Sequence, residues 1–180
     1  MSNNFLKPIE YEPTLLPKSK IDMKGDKTVV SVAAGGLHSV CLHRDGTVSS
    51  WGANDENALG WGNGDFEDEL HFIRQMKSVK DVVQISAGDN HTTMLDIHGD
   101  VYGCGMYKDM DSGQFRELQS SNDTDIRRKT HAFPCKVLGL GKIKAIDAGN
   151  SWNAALDSDG STLYTWGMGN SGQLARSKSM

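Results

Sequence analysis

Three stretches of this chain repeat one pattern, and that repetition restricts its possible folds more than any other property. VVSVAAGGLHSVCLHRDGTVSSWG begins at Val29, VVQISAGDNHTTMLDIHGDVYGCG at Val82 and IKAIDAGNSWNAALDSDGSTLYTWG at Ile143. The Ala-Gly pairs end at Gly35, Gly88 and Gly149, so the pitch is 53 and then 61 residues, and Gly46, Gly99 and Gly160 recur at the same two intervals. The third copy then gains one residue, Ser161 or Thr162, before its last strand. Matching several landmarks in one frame at such a period marks a propeller or an array, in which each unit buries its apolar face only against its neighbours.

Each unit reads as a series of strands. Runs such as Val29-Val30-Ser31-Val32 and Val82-Val83-Gln84-Ile85 are apolar and mostly β-branched, the signature of a buried strand. The Ala-Gly pair follows, then an alternating strand such as His38 to Leu42. Asp45-Gly46, His98-Gly99 and Asp159-Gly160 take tight hairpin positions, and a third strand closes at Trp51-Gly52, Cys104-Gly105 and Trp166-Gly167. One short apolar run lies upstream of each unit, at Leu16–Ile21, Phe72–Met76 and Phe133–Val137, where a proline suits an edge strand. The expected fold is therefore all-β, a partial β-propeller of three four-stranded blades. Its divisions are an N-terminal extension (1–13), repeat 1 (14–60), an acidic loop (61–70), repeat 2 (71–105), an insertion (106–132) and repeat 3 (133–180). No helical periodicity competes strongly; Arg116 to Gln119 has room for one turn of helix inside the insertion.

Composition agrees with this reading and excludes some functions. The 20 glycines exceed the roughly 13 expected at average usage, and without low-complexity tracts they signal turns. A net charge of −4 denies the chain a broad basic field for nucleic acid, and Arg127-Arg128-Lys129 reads as solvated surface. Cys41, Cys104 and Cys135 fit neither zinc nor disulfide spacing, and Cys41 and Cys104 each sit in an alternating strand-like run, so those two are expected as buried thiols in a reducing compartment. The start of the chain has no secretory pattern and no apolar run approaches membrane-spanning length, so the reading is intracellular, with the sequons at Asn90 and Asn122 as chance matches.

Several apparent motifs dissolve on inspection. Gly167 to Gly172 satisfies G-x-G-x-x-G but sits where the other repeats turn, with too little chain beyond it for the expected acidic residue. Asp109-x-Asp111-x-Gly113 hints at a calcium loop, yet its twelfth position is Ser120 where a glutamate is needed. His43, His71, His98 and His131 form no ligand spacing, and no nucleophile-base pair is visible, so no metal, cofactor or catalytic residue is assigned. His38 and His91 recur at one repeat position and read as hydrogen-bonding residues between blades; Trp51 and Trp166 likewise read as core. Trp61, in a Gly-rich loop, has the setting of an exposed residue, and Asp65 to Glu69 beside it suit a solvated tip or a basic partner such as a histone.

The full pattern resembles a known family. Apolar-apolar-x-apolar-x-Ala-Gly-x-x-His, then Asp-Gly-x-Val-Tyr-x-Trp-Gly, then Asn-x-x-Gly-Gln-Leu-Gly is similar to the repeat of the regulator of chromosome condensation family. The last element stands here as Asn54 to Gly60 and Asn170 to Ala175, and the resemblance spans about residues 14 to 176. SAGDNHT around Asp89, and the segment Met106 to Gly113 that replaces the third element in repeat 2, resemble the members that exchange nucleotide on the small GTPase Ran. The resemblance implies a guanine nucleotide-exchange factor without covalent chemistry, nuclear and chromatin-associated. Its partner-binding residues would be Asp89 and a wedge made of Tyr107, Lys108, Asp109, Met110, Asp111, Ser112 and Gly113. Asp89 has a second reading, as a residue that caps a local backbone amide.

Two departures shape the alternative. Gly149-Asn150-Ser151-Trp152 replaces the family's Gly-Asn-Asp-His, removing an acidic contact and the recurrent histidine. The family propeller has seven repeats where this chain has three, and it lacks the basic tail and later loops that reach DNA and core histones, so it reads as a truncated product, an isoform or a partial gene model. An adaptor that binds other proteins and exchanges nothing is the competing expectation.

Overall fold

The computed structural model describes residues 26–54, 56–62, 72–106 and 130–176, together with the backbone of 118–119. Among them there is no helix, and twelve strands follow one another: β1 (Val29–Ala34), β2 (His38–His43), β3 (Val48–Gly52), β4 (Arg74–Gln75), β5 (Val82–Ala87), β6 (His91–Asp96), β7 (Val101–Met106), β8 (Leu118–Gln119), β9 (Thr130–Val137), β10 (Ile143–Ala148), β11 (Trp152–Asp157) and β12 (Leu163–Gly167). They form three antiparallel sheets in the orders β1-β2-β3-β4, β5-β6-β7-β9-β8 and β10-β11-β12. The repeat register is the same in each, with His38 opposite Gly52, His91 opposite Gly105 and Trp152 opposite Gly167.

The first strand of every sheet carries the same irregularity, between Val29 and Ser31, Val82 and Gln84, and Ile143 and Ala145. A bulge interrupts the two-residue alternation, so residues three apart face the same side. Val82 and Ile85 thus both enter a cluster with Val40, Leu42, Val48 and Met76 of the first sheet. Ile143 and Ile146 repeat the arrangement against Leu95, Val101 and Val137 of the second. The core consequently lies between sheets stacked face to face, and each fully buried aliphatic side chain contributes about 1.5–3 kcal/mol. This is a partial β-propeller.

The Ala-Gly pair exists for that stacking. A Cβ on Gly88 would lie 2.5 Å from the Gly149 carbonyl oxygen and 2.1 Å from the ring of His91, and one on Gly35 would lie 2.4 Å from the Gly88 oxygen. At the hairpins the requirement is conformational: Gly46, Gly99 and Gly160 have φ of 75°, 80° and 84°.

Several expectations are corrected. The two described runs, before the second and third repeats, do not open the next sheet: β4 pairs with β3 through Ser49–Gln75 and Ser50–Arg74, and β9 pairs with β7. The reason is the connection after β3, which crosses onto the second sheet before the chain returns. Ala58, Leu59 and Trp61 are buried there, Thr92 Oγ1 donates to the Ala58 oxygen at 2.8 Å, and Gly62 N donates to the Ala132 oxygen at 2.8 Å. Trp61 is therefore core, not an exposed loop residue; its Nε1 donates to Ser50 Oγ at 2.9 Å, and Arg74 lies 5.1 Å over its ring. Among the described residues the third sheet has three strands and the second five, the fifth being Leu118–Gln119, a short strand against Val137 and Lys136 where the sequence left room for a helical turn. The first strand is not buried either, with Val32 73% exposed. The run Leu16–Ile21, the acidic stretch Asp65 to Glu69 and the basic Arg127 to Lys129 lie outside the described residues.

Candidate functional site

The loops between the first and second strands of each sheet meet at one end of the stack. Asp89, half-buried between β5 and β6, donates its backbone N–H to the Asn150 oxygen of the third sheet at 2.8 Å, and its carboxylate accepts a hydrogen bond from the Asn150 side-chain amide. The equivalent Gly36 N–H donates to the Gly88 oxygen at 3.4 Å, one residue earlier in the repeat frame, so each loop is tied to the next through its backbone. The amide on the Asp89 carboxylate is therefore the Asn150 side chain, 61 residues away, and not the local backbone amide of the capping reading.

Beneath these loops the sheets are joined by the recurrent histidines. Thr92 gives its only hydroxyl proton to the Ala58 oxygen, so His38 Nε2, 3.0 Å away, is the donor to Thr92 Oγ1. His91 Nε2 and Thr93 Oγ1 both donate to Asn153 Oδ1, at 3.1 and 2.7 Å. Burial holds His91 down at about 4 and also lowers His38, so both rings are neutral at physiological pH. They are architectural, as their repetition implies. Trp152 takes the histidine's place in the third sheet and stays half-buried.

A cleft opens between the first two sheets at this end, lined by Leu37, Ala53, Glu56, Asp89 and Asn90. Met106, the last residue of β7, donates its N–H to the Asn90 oxygen at 2.8 Å and pairs with Thr130, where β9 begins. The root of the segment that follows Met106 therefore stands beside the Asp89 loop. Tyr107, Lys108, Asp109, Met110, Asp111, Ser112 and Gly113 themselves lie outside the described residues. Sequence reasoning missed Asn150 as the partner of Asp89. It also passed over Leu37, which is 72% exposed at the cleft; an apolar side chain in a turn where the other repeats place polar residues was the available signal.

Among the described residues no three His, Cys, Asp or Glu side chains group to hold a metal. Cys41 and Cys104 are buried thiols and Cys135 is half-buried; burial pushes Cys104 up to about 12. Past Gly167 the chain turns at residues 170–174 with no helix, so the glycine pattern there is not a dinucleotide loop.

Comparison with known proteins accords with the repeat architecture. Models of the regulator of chromosome condensation (RCC1) repeat match residues 29–58 and 82–114, and 45–95. The Xenopus laevis regulator of chromosome condensation is 35% identical over 148 residues, covering 82% of this chain and 32% of that protein. The mouse E3 ubiquitin-protein ligase HERC2 is 30% identical over 151 residues, covering 82% of this chain and 3% of its own length. Among solved structures, Prp20p from Saccharomyces cerevisiae, described for its binding to Gsp1p and histones, superposes with a TM-score of 0.64 at 26% identity, covering 81% of this chain and 34% of that one. The chain thus spans about a third of the length of the regulator it matches. With the repeat pattern, the stacked sheets and these likenesses in agreement, the chain belongs to the regulator of chromosome condensation repeat family.

Proposed function

We propose that this chain is part of a guanine nucleotide-exchange factor for a Ran-type small GTPase, acting in the nucleus at chromatin. The observation that carries the reading is the adjacency of the Asp89 loop to the root of the Tyr107–Gly113 segment, through the Met106–Asn90 hydrogen bond. The likeness to the Xenopus regulator and to Prp20p supports the choice of partner. A Ras-like GTPase holds its nucleotide through a backbone cradle and Mg²⁺. A surface that prefers the empty GTPase lowers nucleotide affinity by reciprocal coupling, and no bond is made or broken on the exchange factor. In this reading Asp89 pairs with a basic residue of the GTPase, Lys108 meets a carboxylate, and Gly113 lets the wedge turn back.

Release of a fluorescent GDP analogue from Ran tests it. The chain is expected to accelerate release and Asp89→Ala to weaken the acceleration about tenfold or more, the effect of truncating one partner of an interfacial charge pair. No acceleration by the chain, or an unchanged rate in Asp89→Ala, counts against it. The second reading is a binding adaptor, favoured by Asn150-Ser151-Trp152, which puts neither an acid nor a histidine in the third loop, and by the likeness to HERC2. Capture of nucleotide-free Ran, reversed by GTP, is expected only of the exchange factor.

A further inference from the structure

The loop between β10 and β11 grips Asp89 through a short chain of hydrogen bonds. Asp89 N–H donates to the Asn150 carbonyl oxygen at 2.8 Å, and Asn150 Nδ2 donates to Asp89 Oδ2. Behind the amide, Ser151 Oγ donates to Asn150 Oδ1 at 2.7 Å. A carboxylate only accepts, so the Asn150 atom facing it must be the amide nitrogen, and the Ser151 hydroxyl proton then meets the amide oxygen. Ser151 is itself fixed, since its carbonyl oxygen accepts from Met168 N–H at 2.9 Å, just past the end of β12.

The grip falls on one carboxylate oxygen. Among the described residues nothing engages Asp89 Oδ1, and Asp89 lines the cleft together with Leu37 and Glu56. Holding the carboxylate matters more for binding than for folding. The Asn150 side chain is exposed, and a hydrogen bond that water can replace contributes little to stability. A partner that needs Asp89 in one orientation is nevertheless spared the cost of ordering that side chain.

We propose that Asn150 is a positioning residue for Asp89, holding Oδ2 so that Oδ1 is presented to a cation of the GTPase, with Ser151 locking the amide. The proposal rests on the exchange reading of Asp89. It gives the third loop a part in the contact without an acid of its own. Where Gly-Asn-Asp-His would place an aspartate, Ser151 steers the acid of the neighbouring loop instead.

Release of a fluorescent GDP analogue from Ran, driven by the 180-residue chain, tests this through a double-mutant cycle. Asn150→Ala leaves the backbone bond from Asp89 in place and is expected to slow release about threefold to tenfold, the range set by ordering one side chain at an interface. In the Asp89→Ala background the same substitution is expected to change nothing further. Asn150→Leu keeps the bulk without the donor and should match Asn150→Ala. Ser151→Ala frees the amide to turn over and should slow release only while Asp89 is present; it replaces the Asn150 variants should urea melts show them unfolded. Asn150→Ala as fast as the parent, where Asp89→Ala is slow, overturns the proposal and leaves the exchange reading standing. An equal loss in both backgrounds also overturns it, because a merely structural part for Asn150 would give that result. No acceleration by the parent, or Asp89→Ala as fast as the parent, removes the exchange reading and this proposal with it.

Discussion

Lowering the pH from 7 to 5 should loosen the stack, and His91 should account for a definite part of the loss. Its ring is fully buried, its Nε2 donates to Asn153 Oδ1 across the second and third sheets, and burial holds it at about 4. In the unfolded chain the same ring titrates near 6.5. Between those values the unfolded state binds the extra proton, so stability is fully present above about 6.5 and is lost as the pH falls toward 4. The complete difference is about 3 kcal/mol, and about 2 kcal/mol of it is lost between pH 7 and 5. Carboxylates titrate lower, which keeps this window for histidines. His38 and His43 act in the same direction because burial lowers both. Urea denaturation of the parent and of His91→Gln at pH 7, 6 and 5 isolates the single ring, as glutamine keeps an N–H donor but does not titrate. The variant should lose about 2 kcal/mol less than the parent over that interval, whatever its stability at pH 7. Equal losses in the two proteins would refute the assignment of His91 as a neutral joint between sheets.

Three further outcomes are expected. Gly88→Ala should destabilise by about 2 kcal/mol or more in urea melts, because its Cβ would press on the Gly149 oxygen, whereas Gly172→Ala, with open space around it but φ of 82°, should cost about 1 kcal/mol. Met94→Ala empties a fully buried position in the first inter-sheet cluster and should cost about 2–5 kcal/mol. In iodoacetamide labelling read by peptide mass spectrometry, Cys135 should react first and Cys104, at zero exposure with its thiol near 12, only after denaturant is added.

The strands and their repeat register were legible because short-range pattern dictates them three times over, and the sheet-to-sheet histidines because their position recurs twice. Asp45-Gly46 and Cys104-Gly105 announce turns and strand ends whatever surrounds them. The pairing of the short outer strands was not legible. Phe72 to Met76 is equally apolar toward either sheet, and only the long-range path of residues 53–62, pinned by Thr92 and Ala132, decides that it returns to β3. Trp61 was misjudged for the same reason, since a Gly-rich context says turn but not which sheet the turn lies on. At the candidate site Asp89 stood out through its resemblance, whereas the Asn150 amide that holds it comes from a loop 61 residues away in sequence.

The return of Arg74–Gln75 to β3 means that one period of sequence and one folded sheet do not begin at the same residue. A graft or deletion cut at the repeat boundary near residue 71 would hand the first sheet a foreign outer strand, and Ser49 and Ser50 would have to accept it. The neutral splice point is the connection 77–81, after Met76 N–H has bonded to the Val48 oxygen and before β5 starts. Module swaps made there should transfer whole sheets, and those made at the sequence period should transfer mismatched edges.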